Sequence, residues 1–176
     1  NESFIELQRL ATGKLSEEEW TKLGMGASAL SQTDIRIDDN PLLTVADMNA
    51  KCRRLENLGL VVIDYLQLMT SAGGKGYSGE NRQQAVSDIS RMLKIMAKEL
   101  NDPVICLSQL SRANEKREDK RPMLSDLRES GSIEQDADCV MMLYRDDYYN
   151  PNTEEKNVAE CIIAKNRHGE IGTVKL

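Results

Sequence analysis

The feature that most constrains this chain is a strand–helix–strand pattern across its middle. Leu60-Val61-Val62-Ile63 is short, β-branched and free of polar residues, which predicts a strand buried on both faces. Pro103-Val104-Ile105-Cys106-Leu107 predicts a second such strand. Between them Val86, Ile89, Leu93, Met96 and Leu100 fall on one stripe, predicting a long helix over roughly Glu80 to Leu100. Two continuous apolar strands joined by a crossover helix make a βαβ unit and a parallel sheet, the signature of the α/β class.

The flanking segments fit that class. Ser16-Glu17-Glu18-Glu19 reads as a capping box, with Leu15 and Trp20 placed as its hydrophobic staple. Trp20, Leu23, Ala27 and Leu30 then recur at helical spacing, predicting a helix over Ser16 to Leu30 with this stripe in the core. The device repeats at Thr44-Val45-Ala46-Asp47, with Leu43 and Met48 as staple. That second helix carries Val45, Met48, Cys52 and Leu55 on one face and is expected to stop near Gly59. Cys139 to Tyr144 predicts a third strand of the same kind, buried on both faces. Val158–Ala164 and Ile171–Leu176 predict a closing hairpin around the turn at Gly169. No repeat, low-complexity segment or internal domain boundary is visible.

At 176 residues the chain has the size of one domain with a substantial core. Its formal net charge of -6 argues against a generally basic nucleic-acid coat, so any DNA contact has to be local. No apolar run approaches the ~18 residues of a membrane span, and the start of the chain shows no signal peptide. The four cysteines, Cys52, Cys106, Cys139 and Cys161, show no C-x-x-C spacing and are accompanied by one histidine, His168. They are expected to be buried reduced thiols, which implies a reducing, cytoplasmic compartment.

Ligands of open α/β sheets bind beyond the carboxyl ends of the strands. Asp64 follows four apolar residues at such an end. An acid there is the Walker B arrangement, in which a carboxylate holds Mg²⁺ against nucleotide phosphates. An Asp that caps the following turn has the same pattern, and the residue alone leaves both readings open. Ser108-Gln109 ends the second strand, and a Gln there can sense a γ-phosphate or its attacking water, or merely bridge loops. Lys165, Asn166, Arg167 and His168 sit together at the hairpin turn. Its two cations are either ordinary solvated surface or a finger presented to a neighbour's triphosphate. His168 reads as a surface residue.

Thr70 to Asn81 contains Gly73, Gly74, Gly76 and Gly79 and is expected to be a mobile loop. Arg112 to Arg121 carries five basic residues against three acids, either a solvated loop or a cationic island suited to phosphate contacts. In Leu127-Arg128-Glu129-Ser130-Gly131-Ser132, Gly131 and the neighbouring amides could cradle an anion ahead of a short helix. No G-x-x-x-x-G-K-[ST] P-loop is present, since Leu15 follows Gly13-Lys14 and Gly76 follows Gly74-Lys75. One histidine in a basic turn supports neither a Ser-His-Asp nor a Cys-His constellation.

Taken together, these blocks resemble the C-terminal motor domain of the DnaB family of replicative DNA helicases over essentially the whole chain. Leu10 to Leu15 with Glu19-Trp20, then Ile37 to Pro41 with Leu43-Thr44 and Arg53-Arg54-Leu55, carry the early part. Val62-Ile63-Asp64-Tyr65-Leu66-Gln67-Leu68-Met69 matches the family's Walker B strand. Ser108 to Arg112 and Lys120-Arg121-Pro122 follow, and Leu124 to Asp138 is the most specific stretch. Tyr144 to Tyr149 and Ala164-Lys165-Asn166-Arg167 close the match.

The resemblance implies a RecA-like α/β fold, a mostly parallel sheet flanked by helices with a C-terminal β-hairpin. It implies a ring hexamer that hydrolyses ATP with Mg²⁺ and moves 5′ to 3′ along single-stranded DNA, with primase and a helicase loader as partners. Asp64 would be the Walker B acid and metal contact, and Gln109 would couple nucleotide state to DNA. Lys165 and Arg167 would reach the neighbouring subunit's ATP. Arg128, Glu129 and Gly131 fall on the DNA-contacting loop, which lets an acidic protein grip DNA backbone with few aromatics. His168 stands where family members often have Asn. The family's P-loop, its catalytic carboxylate and its primase-contacting domain are expected upstream of Asn1, so the segment alone is expected to be inactive. Two other readings remain: a different RecA-like DNA-dependent ATPase, such as a repair recombinase paralogue or phage primase-helicase, and a non-catalytic DNA-binding or interaction module.

Overall fold

A computed structural model describes residues 3–69, 79–127 and 131–176, with side chains in the second stretch described from 84 onward. The glycine-rich stretch lies outside the described residues up to position 78. Packing divides the chain into two compact units, residues 1–39 and 40–176, although no linker composition marks the division.

The first unit holds α1 (Leu7–Thr12) and α2 (Glu17–Ser31). Helix α1 ends because Gly13 adopts a left-handed φ of 67° and returns its N–H to the Leu10 carbonyl. Helix α2 starts at the expected capping box: Ser16 Oγ accepts the Glu19 N–H, and Glu19 accepts the Ser16 N–H at 2.8 Å. Arg9 pairs with Glu19 at 2.8 Å, tying α1 to the cap of α2. The expectation that the Trp20 stripe forms core is corrected, because Trp20 is 55% exposed and Leu30 51%. A two-helix unit has no second layer to place over that stripe.

The second unit is built around α4 (Gly79–Leu100). Its Val86, Ile89, Leu93 and Met96 are buried, Ile89 and Met96 to 1%. They pack on Val45 and Met48 of α3 (Val45–Cys52), on Ile63 of β1 (Val61–Ile63) and on Leu66 in the turn that follows. Helix α3 starts at its own capping box, Thr44 with Asp47, and stops at Cys52, several residues before Gly59. β1 pairs in parallel with β2 (Val104–Cys106), Ile63 opposite Cys106, as the βαβ pattern requires.

The two strands are not buried on both faces. Val61, Ile63, Val104 and Cys106 face α4, whereas Val62 and Ile105 on the other side are 59% and 48% exposed. The elements packed here supply a layer for one side only. β3 (Cys139–Tyr144), β4 (Glu160–Asn166) and β5 (Gly172–Lys175) form a separate antiparallel sheet, with β4 and β5 as the expected hairpin. β3 alternates, burying Val140, Met142 and Tyr144, so Cys139 is exposed rather than buried. All four thiols are free, and burial pushes that of Cys106 up to about 11.

Two ion pairs hold the basic segment, one to the turn Leu124–Asp126 and one to this sheet. Asp126, 1% exposed, receives Arg117 through two bonds of 2.8 and 2.6 Å. Arg121 makes the same forked contact with buried Glu160 on β4, at 2.8 and 2.7 Å, and lies 4.8 Å from the centre of the Tyr144 ring. Lys120 stands 5.1 Å over Tyr149 in α6 (Asp146–Tyr149). Three of the five cations are therefore engaged within the chain, and the segment is a clamp more than an open phosphate-binding island.

Two outcomes follow from this packing. Ile89→Ala is expected to lower unfolding stability by about 2–5 kcal/mol, measured by chemical denaturation, because α4 cannot collapse onto the vacated volume. The forked arginines hold Asp126 and Glu160 below the usual carboxylate range. Groups whose folded values are depressed stabilise the fold above their ordinary values, and that contribution is lost as pH falls through the folded values. Denaturation midpoints are therefore expected to drop below about pH 4. Asp126→Asn is expected to be less stable at pH 7 and to show a flatter acid limb.

Candidate functional site

Because β1 and β2 are parallel, their carboxyl ends lie on one edge, and the two expected strand-tip residues follow them there. Asp64 comes directly after β1 and is exposed. Gln109 lies three residues past β2, also exposed. Backbone pairing continues beyond the strands: Leu107 donates to the Ile63 carbonyl at 2.9 Å, and Leu66 donates to Leu107 O at 2.9 Å. The side-chain amide of Gln67 then reaches across, accepting the Gln109 N–H at 3.1 Å and donating to Ser108 Oγ at 3.0 Å. Sequence reasoning assigned Gln67 no role. Its signal was a Gln three residues after one strand-tip residue, facing a Ser-Gln pair at the other.

Past Gln109 the chain joins a different partner. Leu110 bridges Leu127, and Ser111 N–H donates to Asp126 O at 2.8 Å. The basic-segment clamp thus fixes the residues immediately before position 128. Arg128 and Glu129 lie outside the described residues. Gly131 is exposed and opens α5 (Gly131–Asp136).

Lys165 and Arg167 stand at the other end of α5. Lys165 Nζ donates to the carbonyls of Glu134 and, at 2.7 Å, of Ala137. Arg167 donates to the Gln135 carbonyl at 3.1 Å and pairs with Asp138 at 3.3 Å, and its own N–H meets the Asp138 carbonyl at 2.8 Å. Cations over the last carbonyls of a helix satisfy its unpaired acceptors and its dipole. Asp138, another residue the sequence left unassigned, also receives Lys94 of α4, which with Arg167 holds its carboxyl below the usual range. Ser87 of α4 meets Ser132 of α5 at 2.8 Å, and Ile133 packs into both hydrophobic clusters. His168 is exposed at the hairpin turn. The structure brings Asp64 and Gln109 to one sheet edge, and Lys165 and Arg167 to the α5 end; α4 and α5 join the two places.

Among the described residues no three His, Cys, Asp or Glu side chains converge as a metal cage. A single exposed carboxylate suits Mg²⁺, which keeps most of its waters and takes one or two carboxylates alongside phosphates. Among the described residues no helix is long and apolar enough to cross a membrane.

The DnaB-like helicase C-terminal domain model matches residues 1–176, the entire chain. The chain belongs to that family. It is 60% identical to the replicative DNA helicase DnaB of Geobacillus stearothermophilus, over 99% of this chain and 38% of that protein. It is 58% identical to the replicative DNA helicase DnaC of Bacillus subtilis, with the same coverage. The chain thus spans under two fifths of the length of these relatives. Among solved structures, an ATPase domain superposes with a TM-score of 0.89 at 46% identity, covering 99% of this chain and 63% of that one. A DnaB-like replicative helicase, described with its interactions with primase, also superposes at 0.89, with 45% identity, covering 99% of this chain and 44% of that one. The DnaB-like segment therefore has the RecA-like α/β fold expected from its sequence.

The contacts at the end of α5 are open to direct measurement. Lys165→Ala removes two charge-assisted bonds, so hydrogen exchange of the Ala137 amide is expected to quicken about tenfold. The Leu107 amide, bonded to β1, is expected to exchange unchanged.

Proposed function

We propose that this segment is the motor portion of a replicative helicase, working in a hexameric ring that hydrolyses ATP and moves 5′ to 3′ along single-stranded DNA to unwind the duplex. The observation that carries the reading is the position of Gln109. It lies between Leu107, which is tied to β1 beside Asp64, and Leu110, which is bridged to Leu127 one residue before Arg128. A change at the nucleotide edge therefore has a short path, through backbone hydrogen bonds and the few residues Leu107 to Leu110, to the expected DNA loop.

In this reading Asp64 contacts Mg²⁺ through water and Gln109 senses the γ-phosphate. Lys165 and Arg167 extend from the hairpin toward the ATP of the adjacent subunit. The Arg128 side chain and the backbone amides of Glu129 and the Gly131 region meet DNA phosphates in the ring's channel, where local contacts outweigh the net charge of -6. ATP with Mg²⁺ supplies the phosphoryl-transfer chemistry when bound. A P-loop and a catalytic carboxylate elsewhere in the polypeptide complete the site, and primase and a loader engage the assembled ring. The four free thiols fit a reducing cytoplasm.

The test uses the complete ring-forming helicase. Asp64→Asn is expected to leave rings intact by native mass measurement and to reduce ATP turnover at least about a hundredfold. Arg167→Ala is expected to reduce turnover about a thousandfold, the scale of an arginine finger. If the finger acts in trans, mixing Arg167→Ala with Asp64→Asn subunits restores part of the activity, because some interfaces then carry both intact residues. Wild-type turnover by Asp64→Asn, or no recovery on mixing, would reject the assigned roles.

A further inference from the structure

The ladder between β1 and β2 stops where the chain after Ile63 turns into the helical turn Leu66–Leu68. After the bond from Leu66 N–H to Leu107 O the backbone gives up its pairing with the strand opposite, yet the Gln109 peptide does not go unpartnered. Gln67 Oε1 accepts the Gln109 N–H at 3.1 Å, and its Nε2 donates to Gln109 O at 3.3 Å and to Ser108 Oγ at 3.0 Å. A primary amide carries an acceptor and two donors in one plane, so a single side chain reproduces both bonds a neighbouring strand would make to one residue. Gln67 is half-buried, while Gln109 remains exposed. The clamp thus grips the Gln109 backbone and leaves its side chain exposed.

We propose that Gln67 is a positioning residue that fixes Gln109 at the carboxyl end of β2. The two strand tips carrying Asp64 and Gln109 then move as one body. The inference rests on the proposed coupling role of Gln109. Without the clamp, Ser108 and Gln109 are a two-residue span between the last tie to β1 and the bridge from Leu110 to Leu127. Such a span can absorb a displacement instead of passing it on.

The experiment compares wild type, Gln67→Met and Gln109→Ala in the complete ring-forming helicase. Met keeps the length of the side chain and removes the amide. In Gln67→Met the Gln109 amide is expected to exchange about tenfold faster, with the Leu107 amide unchanged. Stimulation of ATP turnover by single-stranded DNA is expected to fall at least about fivefold, toward the Gln109→Ala level. Basal turnover and the KM for ATP stay within about twofold. Full stimulation in Gln67→Met, with stimulation lost in Gln109→Ala, overturns the proposal and leaves the role of Gln109 standing. Full stimulation in both removes the role of Gln109 and the proposal with it. An equal rise in exchange at Leu107 marks general loosening of the sheet and also overturns it. If Gln67→Met rings do not assemble, Gln67→Glu, which keeps the acceptor and loses both donors, is read by the same criteria.

Discussion

The burial of one face of α4 is the interaction on which the rest of this unit depends. Val86, Ile89, Leu93 and Met96 bring α3, β1 and the turn at Leu66 into one cluster. The same helix reaches the second sheet through Lys94, Ser87 and the shared packing of Ile133. A helix that packs on two layers leaves neither free to shift alone, because close-packed interiors transmit displacement. That is why residues far apart in sequence, Asp64 and Lys165 among them, belong to one mechanical framework.

Charge is distributed by the same logic. An acidic chain with many arginines could spread its cations over the surface. Here Arg117 and Arg121 are instead committed to Asp126 and Glu160, two carboxylates that burial would otherwise make costly. The clamp they form sets the backbone directly before position 128. Lys165 and Arg167 are likewise held, by carbonyls at the end of α5. The positions of both side chains are therefore set by the helix that begins at Gly131.

Asp64 shows how a strand-tip acid combines with its surroundings. It is exposed at the end of β1, and three residues later the chain sends back an amide that continues the sheet by other means. The side chain of Gln67 takes the place of backbone, which is possible only because β1 turns at that point. Strand ends in α/β sheets bind ligands for a related reason: the chain diverges there and leaves polar groups to find new partners.

Much of this was legible in the sequence. Both capping boxes, the βαβ crossover, the third strand and the closing hairpin follow from spacing and side-chain type, because they are set by near neighbours along the chain. The placement of Asp64 and Gln109 on one edge follows from parallel pairing alone. Burial was not legible for Trp20, Val62 or Cys139, since apolar character says that a residue prefers a partner and not whether one is packed against it. The pairs Arg117–Asp126, Arg121–Glu160, Arg167–Asp138 and Gln67–Gln109 were equally hidden. Local patterning thus determined the elements and the chemistry at their ends. Tertiary structure alone decided which polar groups face one another, because a hydrogen bond depends on position in space and leaves no periodicity in the chain.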